Sequence, residues 1–160
     1  MPRTEPIDLA FFDSAPAIYE DQWDINVPVE QFWQGLTGDR PLHWCRLLKI
    51  RWTSSRPFGV GTTRHVSVLG TIQADEHFFL WEEGVRFAFH FTRSNLPLFR
   101  RFGEYYELKP TSPNTCQFTW KLAGEPTLVG RLGSPLTKAI FTSLFRDTTR
   151  YVKILGDQSR

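Results

Sequence analysis

The chain has 160 residues, the length of one ordinary domain. Its residues are 41% hydrophobic and 22% charged, with net charge +2 and mean hydropathy −0.33, which excludes disordered and membrane-embedded classes. No apolar run approaches the roughly 18 residues of a membrane span, and the scattered basic residues leave no electrostatic footprint for nucleic acid.

The N-terminus reads Met1-Pro2-Arg3-Thr4-Glu5-Pro6, without the basic stretch and apolar run of a secretory signal. Cys45 and Cys116 lie far apart and form no CxxC, so they read as reduced thiols of a cytoplasmic protein. A first strand is predicted over 19–26. A helix follows from Pro28 to Leu36, with Phe32, Trp33 and Leu36 on one face, and a second short helix is expected from Arg40 to Trp44. Six strands are then predicted near 46–53, 61–69, 72–82, 85–93, 102–109 and 115–123, separated by turn residues such as Ser112-Pro113-Asn114. Residues 127–133 are expected to add an irregular helical turn. From Ser134 to Gly156 the period changes: Leu136, Ile140, Phe141, Leu144, Phe145, Thr148, Val152 and Leu155 recur at three and four residues, the stripe of an amphipathic helix. Short turns join antiparallel neighbours, so the class is α+β with one largely antiparallel sheet.

Hydrophobic alternation also sets registers. Pairing Val68 with Ile72 and Val66 with Ala74 leaves Leu69-Gly70-Thr71 as the loop and puts Arg64 opposite Glu76. Pairing Leu80 with Phe87 and Phe78 with Phe89 leaves Glu83-Gly84 as a two-residue turn. The inward face then carries Phe78, Leu80, Phe87, Phe89 and Phe91, while Phe79 and Trp81 face outward. On the last hairpin Tyr106 and Leu108 are expected to face Phe118 and Cys116, with Trp120 near Glu104. Arg64, Glu76, Glu104 and Tyr106 thus fall on the apolar side of their strands. A buried charge is tolerable only when paired, so the plain reading is a structural Arg64–Glu76 pair. The functional reading makes the pair a polar anchor in an apolar pocket.

Several segments together resemble the SRPBCC superfamily (START and Bet v 1-like, helix-grip fold), nearest its polyketide cyclase/dehydrase and lipid-transport group. They are Val27-Pro28-Val29-Glu30-Gln31-Phe32-Trp33, Leu42-His43-Trp44, Pro57-Phe58-Gly59-Val60-Gly61-Thr62-Thr63-Arg64, Glu104-Tyr105-Tyr106-Glu107-Leu108-Lys109-Pro110 and the terminal helix. The resemblance spans roughly residues 16 to 155 and rests on pattern and topology. It implies a seven-stranded antiparallel sheet curled around the long helix, with a hydrophobic cavity between them. Members carry lipids, sterols, hormones or polyketides, and some catalyse cyclisation or aromatisation. Residues 1–15 lie outside the pattern, as an extension that packs over the sheet or reaches a partner.

The expected function is binding of a hydrophobic or aromatic small molecule, lipid or polyketide-like, without a cofactor. Trp44, Phe58, Phe78, Phe89, Tyr106, Trp120 and Phe141 are taken as the ring lining, and Arg64 and Glu76 as its polar end. A second reading is a cyclase-like enzyme in which Arg64 binds a carbonyl or carboxylate, Glu76 accepts a proton and Tyr106 donates a hydrogen bond. A third is a homodimer or partner-binding module using Phe79 and Trp81, with Arg86 over the Trp81 ring. His65, Asp75, His77 and His90 gather on the outward face, but without HExxH or paired-Cys spacing no metal site is assigned. Gly59-Val60-Gly61 begins a dinucleotide fingerprint that lacks its third Gly and its helix, and no Walker A or GxSxG segment occurs.

Overall fold

The computed structural model describes residues 1–158. Seven strands form one antiparallel sheet in the order β1-β7-β6-β5-β4-β3-β2. They are β1 (Ala17–Ile25), β2 (Leu48–Trp52), β3 (Thr63–Val68), β4 (Ile72–Glu82), β5 (Arg86–Ser94), β6 (Phe99–Ser112) and β7 (Thr115–Pro126). The helices are α1 (Phe11–Ser14), α2 (Val29–Thr37), α3 (Leu128–Leu132) and α4 (Ser134–Gln158). The sheet curls around α4, which completes the helix-grip arrangement predicted above.

Helix α2 follows Pro28 and buries Phe32, Trp33 and Leu36, the face its spacing predicts. No second helix forms over 40–44. Pro41 has no N–H to give a helical ladder, Leu42 takes a left-handed backbone (φ 54°), and the segment closes as turns. Burial of Leu42 to 2% exposure offsets that conformation. Residues 128–132 form a regular short helix, capped by Thr127 Oγ1 accepting from the Gly130 N–H at 3.0 Å. Helix α4 buries Ile140, Phe141, Leu144, Thr148 and Leu155, but Leu136 faces outward at 54% exposure and Thr137 takes the inward place.

The β3–β4 register matches alternation: Val68 pairs with Ile72, Val66 with Ala74 and Arg64 with Glu76. The β4–β5 hairpin departs from its predicted form. Phe78 pairs with Phe89, then Phe79 is an extra residue, and Leu80 pairs with Ala88 and Trp81 with Phe87. The bulge turns Leu80 to the outer face and brings Trp81 inward against Trp33 and Phe87. Glu82 then pairs with Arg86, so the connection is Glu83-Gly84-Val85, three residues rather than two, with Gly84 at φ 76°. On the last hairpin Tyr106 pairs with Trp120 and Leu108 with Phe118, two residues from the expected register with every face unchanged.

The N-terminal stretch packs over the outer face of the sheet. Phe11 and Phe12 are buried there with Ala88 and Ala123, and Phe12 stacks on Phe79. Phe79 and Trp81 therefore form no exposed patch. Arg86 bonds Glu82 at 2.8 Å instead of covering Trp81.

Candidate functional site

Alternation on three strands assembles the site. Arg64, Val66 and Val68 on β3, Ile72, Ala74 and Glu76 on β4, and Phe102, Glu104 and Tyr106 on β6 all point to the concave side. With Ile140, Phe141 and Leu144 of α4 they enclose a cavity. Its volume is about 70 Å³. That is several times the roughly 10–15 Å³ that seats one water. Thr4 and the 94–98 connection border its outer end, where Leu96 is 40% exposed. The extension contributes to this wall because the Thr4 N–H bonds Thr92 O at 3.0 Å.

The wall carries one polar cluster. Arg64 and Glu76 are 1% and 2% exposed, and Arg64 Nε donates to Glu76 Oε2 at 2.5 Å. Glu104 Oε1 accepts from Tyr106 Oη and from Trp120 Nε1, each at 2.8 Å. Burial pushes the Glu104 carboxyl up to about 7, helped by the nearby Glu76 charge and opposed by its two hydrogen bonds and Arg64. Burial raises Glu76 as well, against the pull of Arg64. Burial works against the Arg64 charge, but the Glu76 carboxylate bonded to it outweighs that and holds the guanidinium cationic. Burial, with Glu104 beside it, lifts the Tyr106 phenol well above its ordinary range, so it stays a donor.

Of the residues expected to line the site, Arg64, Glu76, Tyr106 and Phe141 wall this cavity. Phe78, Phe89 and Trp120 stand behind it. The Arg64 guanidinium carbon lies 5.1 Å from the Phe78 ring and 4.7 Å from that of Phe89, and Trp120 holds Glu104. Trp44 and Phe58 lie elsewhere: Trp44 stacks on Tyr151 at 4.3 Å, and Phe58 on Trp52 at 4.1 Å. The cavity instead takes most of its wall from aliphatic side chains, including Ile50, Val66, Val68, Ile72 and Leu122. Their signal was the aliphatic run on the same strand faces as Arg64 and Glu76. Glu104, whose strand position predicts only an inward side chain, also belongs to this wall.

Other chemistry finds little support. Burial pushes the Cys45 thiol up to about 12 and that of Cys116 up to about 11, and both are free and inert. On the outer face His77 and His90 are paired as predicted. His65 already spends its ring nitrogens on Asp75 at 2.8 Å and Gln73 at 2.7 Å. Among the described residues no group of three or more His, Cys, Asp or Glu is placed to hold a metal ion, and no helix is long and apolar enough to cross a membrane.

No protein-family model matches the chain. It is similar to solved structures at low sequence identity. A START superfamily protein from Mycobacterium smegmatis aligns with TM-score 0.68 and 12% identity over 86% of this chain and 98% of that one. Truncated norcoclaurine synthase from Thalictrum flavum aligns with TM-score 0.60 and 13% identity over 85% and 92%. In sequence, the chain is 33% identical over 141 residues to Uncharacterized protein Rv2574 of Mycobacterium tuberculosis, covering 86% of this chain and 79% of the relative. Uncharacterized protein Mb2604 of Mycobacterium bovis matches equally. The chain therefore has a START/Bet v 1-like helix-grip fold and belongs to the family of the mycobacterial protein Rv2574.

Proposed function

We propose that the protein binds a hydrophobic small molecule in the cavity between sheet and α4. The observation that carries this reading is an apolar hollow whose wall includes a buried, hydrogen-bonded ionic cluster, the usual make-up of a small-molecule site. Arg64, Glu76, Tyr106 and Phe141 are its assigned contacts, with Glu104 added. START and Bet v 1-like neighbours support a ligand-binding fold. Two free, buried thiols suit a cytoplasmic setting. The test is native mass spectrometry of protein from its own host, joined to titration with the neutral apolar dye N-phenyl-1-naphthylamine. Saturable dye binding that Val66→Phe abolishes in a folded protein is the expected result. Absence of any co-purified molecule together with absence of dye binding would overturn the reading.

A second reading, a cyclase- or synthase-like enzyme, is favoured by Glu104. A carboxyl that titrates near neutrality beside a cavity suits general acid–base work. Tyr106 orients it through Oε1. Ligand binding without turnover of polyketone substrates counts against catalysis and leaves the binding reading intact.

A further inference from the structure

Among the described residues, Arg64 Nη1 is the buried side-chain nitrogen or oxygen with no hydrogen-bond partner. It belongs to a residue that walls the cavity and is 1% exposed. The two carboxylates of the wall bond elsewhere and do not reach it: Glu76 Oε2 takes Arg64 Nε, and Glu104 Oε1 takes Tyr106 and Trp120. Phe78, Phe89 and Trp52 stack around the guanidinium and supply no acceptor atom. A buried donor left unmatched is costly, and native proteins leave few of them without a purpose.

Charge decides what the missing acceptor is. Glu76 already neutralises Arg64 through a direct contact, and Glu104 is a second carboxyl in the same wall. A further anion would place three acidic groups around one cation in a site of low dielectric. An uncharged oxygen meets Nη1 without that repulsion. The shape of the rest follows from the wall: methyl-bearing side chains such as Ile50, Val66, Val68 and Ile72 enclose a narrow space suited to an alkyl chain. We propose that the ligand is a slim aliphatic molecule with one uncharged carbonyl (ketone, ester or amide) whose oxygen accepts a hydrogen bond from Arg64 Nη1. This rests on the reading of the cavity as a ligand site and names the chemistry of its occupant.

The test compares 2-heptanone, heptane and heptanoate at pH 7 by displacement of N-phenyl-1-naphthylamine. 2-Heptanone is expected to bind at least about tenfold more tightly than either of the others, the effect of one hydrogen bond to a charged donor. The double variant R64M/E76M replaces the whole pair with apolar side chains of similar length, a change that buried pairs often tolerate. It is expected to bind 2-heptanone and heptane within about twofold of each other. Should that variant not fold, the Arg64 Nε–H resonance of the wild-type protein provides the readout: it moves with 2-heptanone and stays put with heptane. Heptanoate binding most tightly would overturn the proposal in favour of an anion site. Heptane binding as well as the ketone would overturn it by showing Nη1 already satisfied by water. Failure of all three to displace a dye that does bind overturns this proposal alone, whereas failure of the dye to bind, together with absence of any co-purified molecule, overturns the binding reading with it.

Discussion

Where α2 meets the sheet, Phe32 lies 5.1 Å from Phe118 and Trp33 lies 5.6 Å from Phe87. Phe87 and Phe118 have no exposed surface. Where the first half of α4 faces β2, β3 and β4 across the cavity, Ile140 and Leu144 instead share an open space with Ile50, Val66 and Ile72. Both regions are apolar and both are held by the same sheet. The difference is reach. At α2 a large ring on one wall extends to the opposite wall and closes the gap, whereas opposite α4 the branched aliphatic side chains of β2, β3 and β4 stop short and the rings of Phe102 and Phe141 border the space without filling it. Hydrophobic content alone therefore does not locate a cavity; side-chain length across the gap does.

Truncations on the two sides test this contrast most strongly. Phe118→Ala should cost about 3–5 kcal/mol in urea unfolding, since it opens a void in a sealed region. Leu144→Ala removes methyl groups that already border empty space, so its cost should be about 2 kcal/mol or less. Equal losses would erase the distinction between the two regions.

The polar cluster at their boundary supplies the next effect. In the folded chain Glu104 holds its proton up to about 7, against an ordinary value of 4.5. Between those two values the folded state binds more protons than the unfolded one. Stability therefore falls as pH rises from 4.5 through 7, and it stays lowered above. Glu104→Gln keeps an acceptor for Tyr106 and Trp120 and removes the titration. The variant should exceed wild type by roughly 3 kcal/mol at pH 8 and match it near pH 4. Parallel stability curves for the two proteins would place the Glu104 carboxyl outside the low-dielectric wall.

A smaller effect is expected at the rim of the hollow. A Cβ on Gly130 would fall 1.8 Å from Leu98 O, so α3 and the 94–98 connection fit together only because that atom is absent. Thr127 Oγ1 ties the same pair of segments by bonding Pro97 O. Gly130→Ala should cost about 1–3 kcal/mol. It should also speed hydrogen exchange at the Thr127 and Arg131 amides while leaving Phe118 unchanged. Acceleration spread evenly over the sheet would mean that the rim is not a separate unit. The smallest effect belongs to the exposed Glu82–Arg86 pair, where Glu82→Ala should leave the midpoint within measurement error.

Alternation made most of the architecture readable, and its failures have definite causes. Arg64 opposite Glu76 was legible because any one-residue slip would set Val66 and Val68 against Asp75 and Gln73. The bulge at Phe79 was not legible, because Phe78-Phe79-Leu80-Trp81 is apolar throughout and gives a period of two nothing to choose between. The two-residue offset on the last hairpin escaped for the opposite reason: both registers send the same side chains inward. At the site, the inward polar residues could be inferred from their strand faces. The choice of rings as lining could not be corrected from sequence, since the stacking of Trp44 on the distant Tyr151 and of Phe58 back on Trp52 follows no strand or helix period.

The position of the indoles has a practical consequence. The chain contains six Trp, and none of them walls the cavity. Intrinsic emission should therefore barely register a guest, and a flat trace on titration is no sign of an empty protein. Trp120 is the exception in another sense, because its indole N–H is bound to Glu104 Oε1. Its quantum yield should follow the protonation of that carboxyl, which gives the molecule a native optical gauge of its own acidity rather than of its cargo.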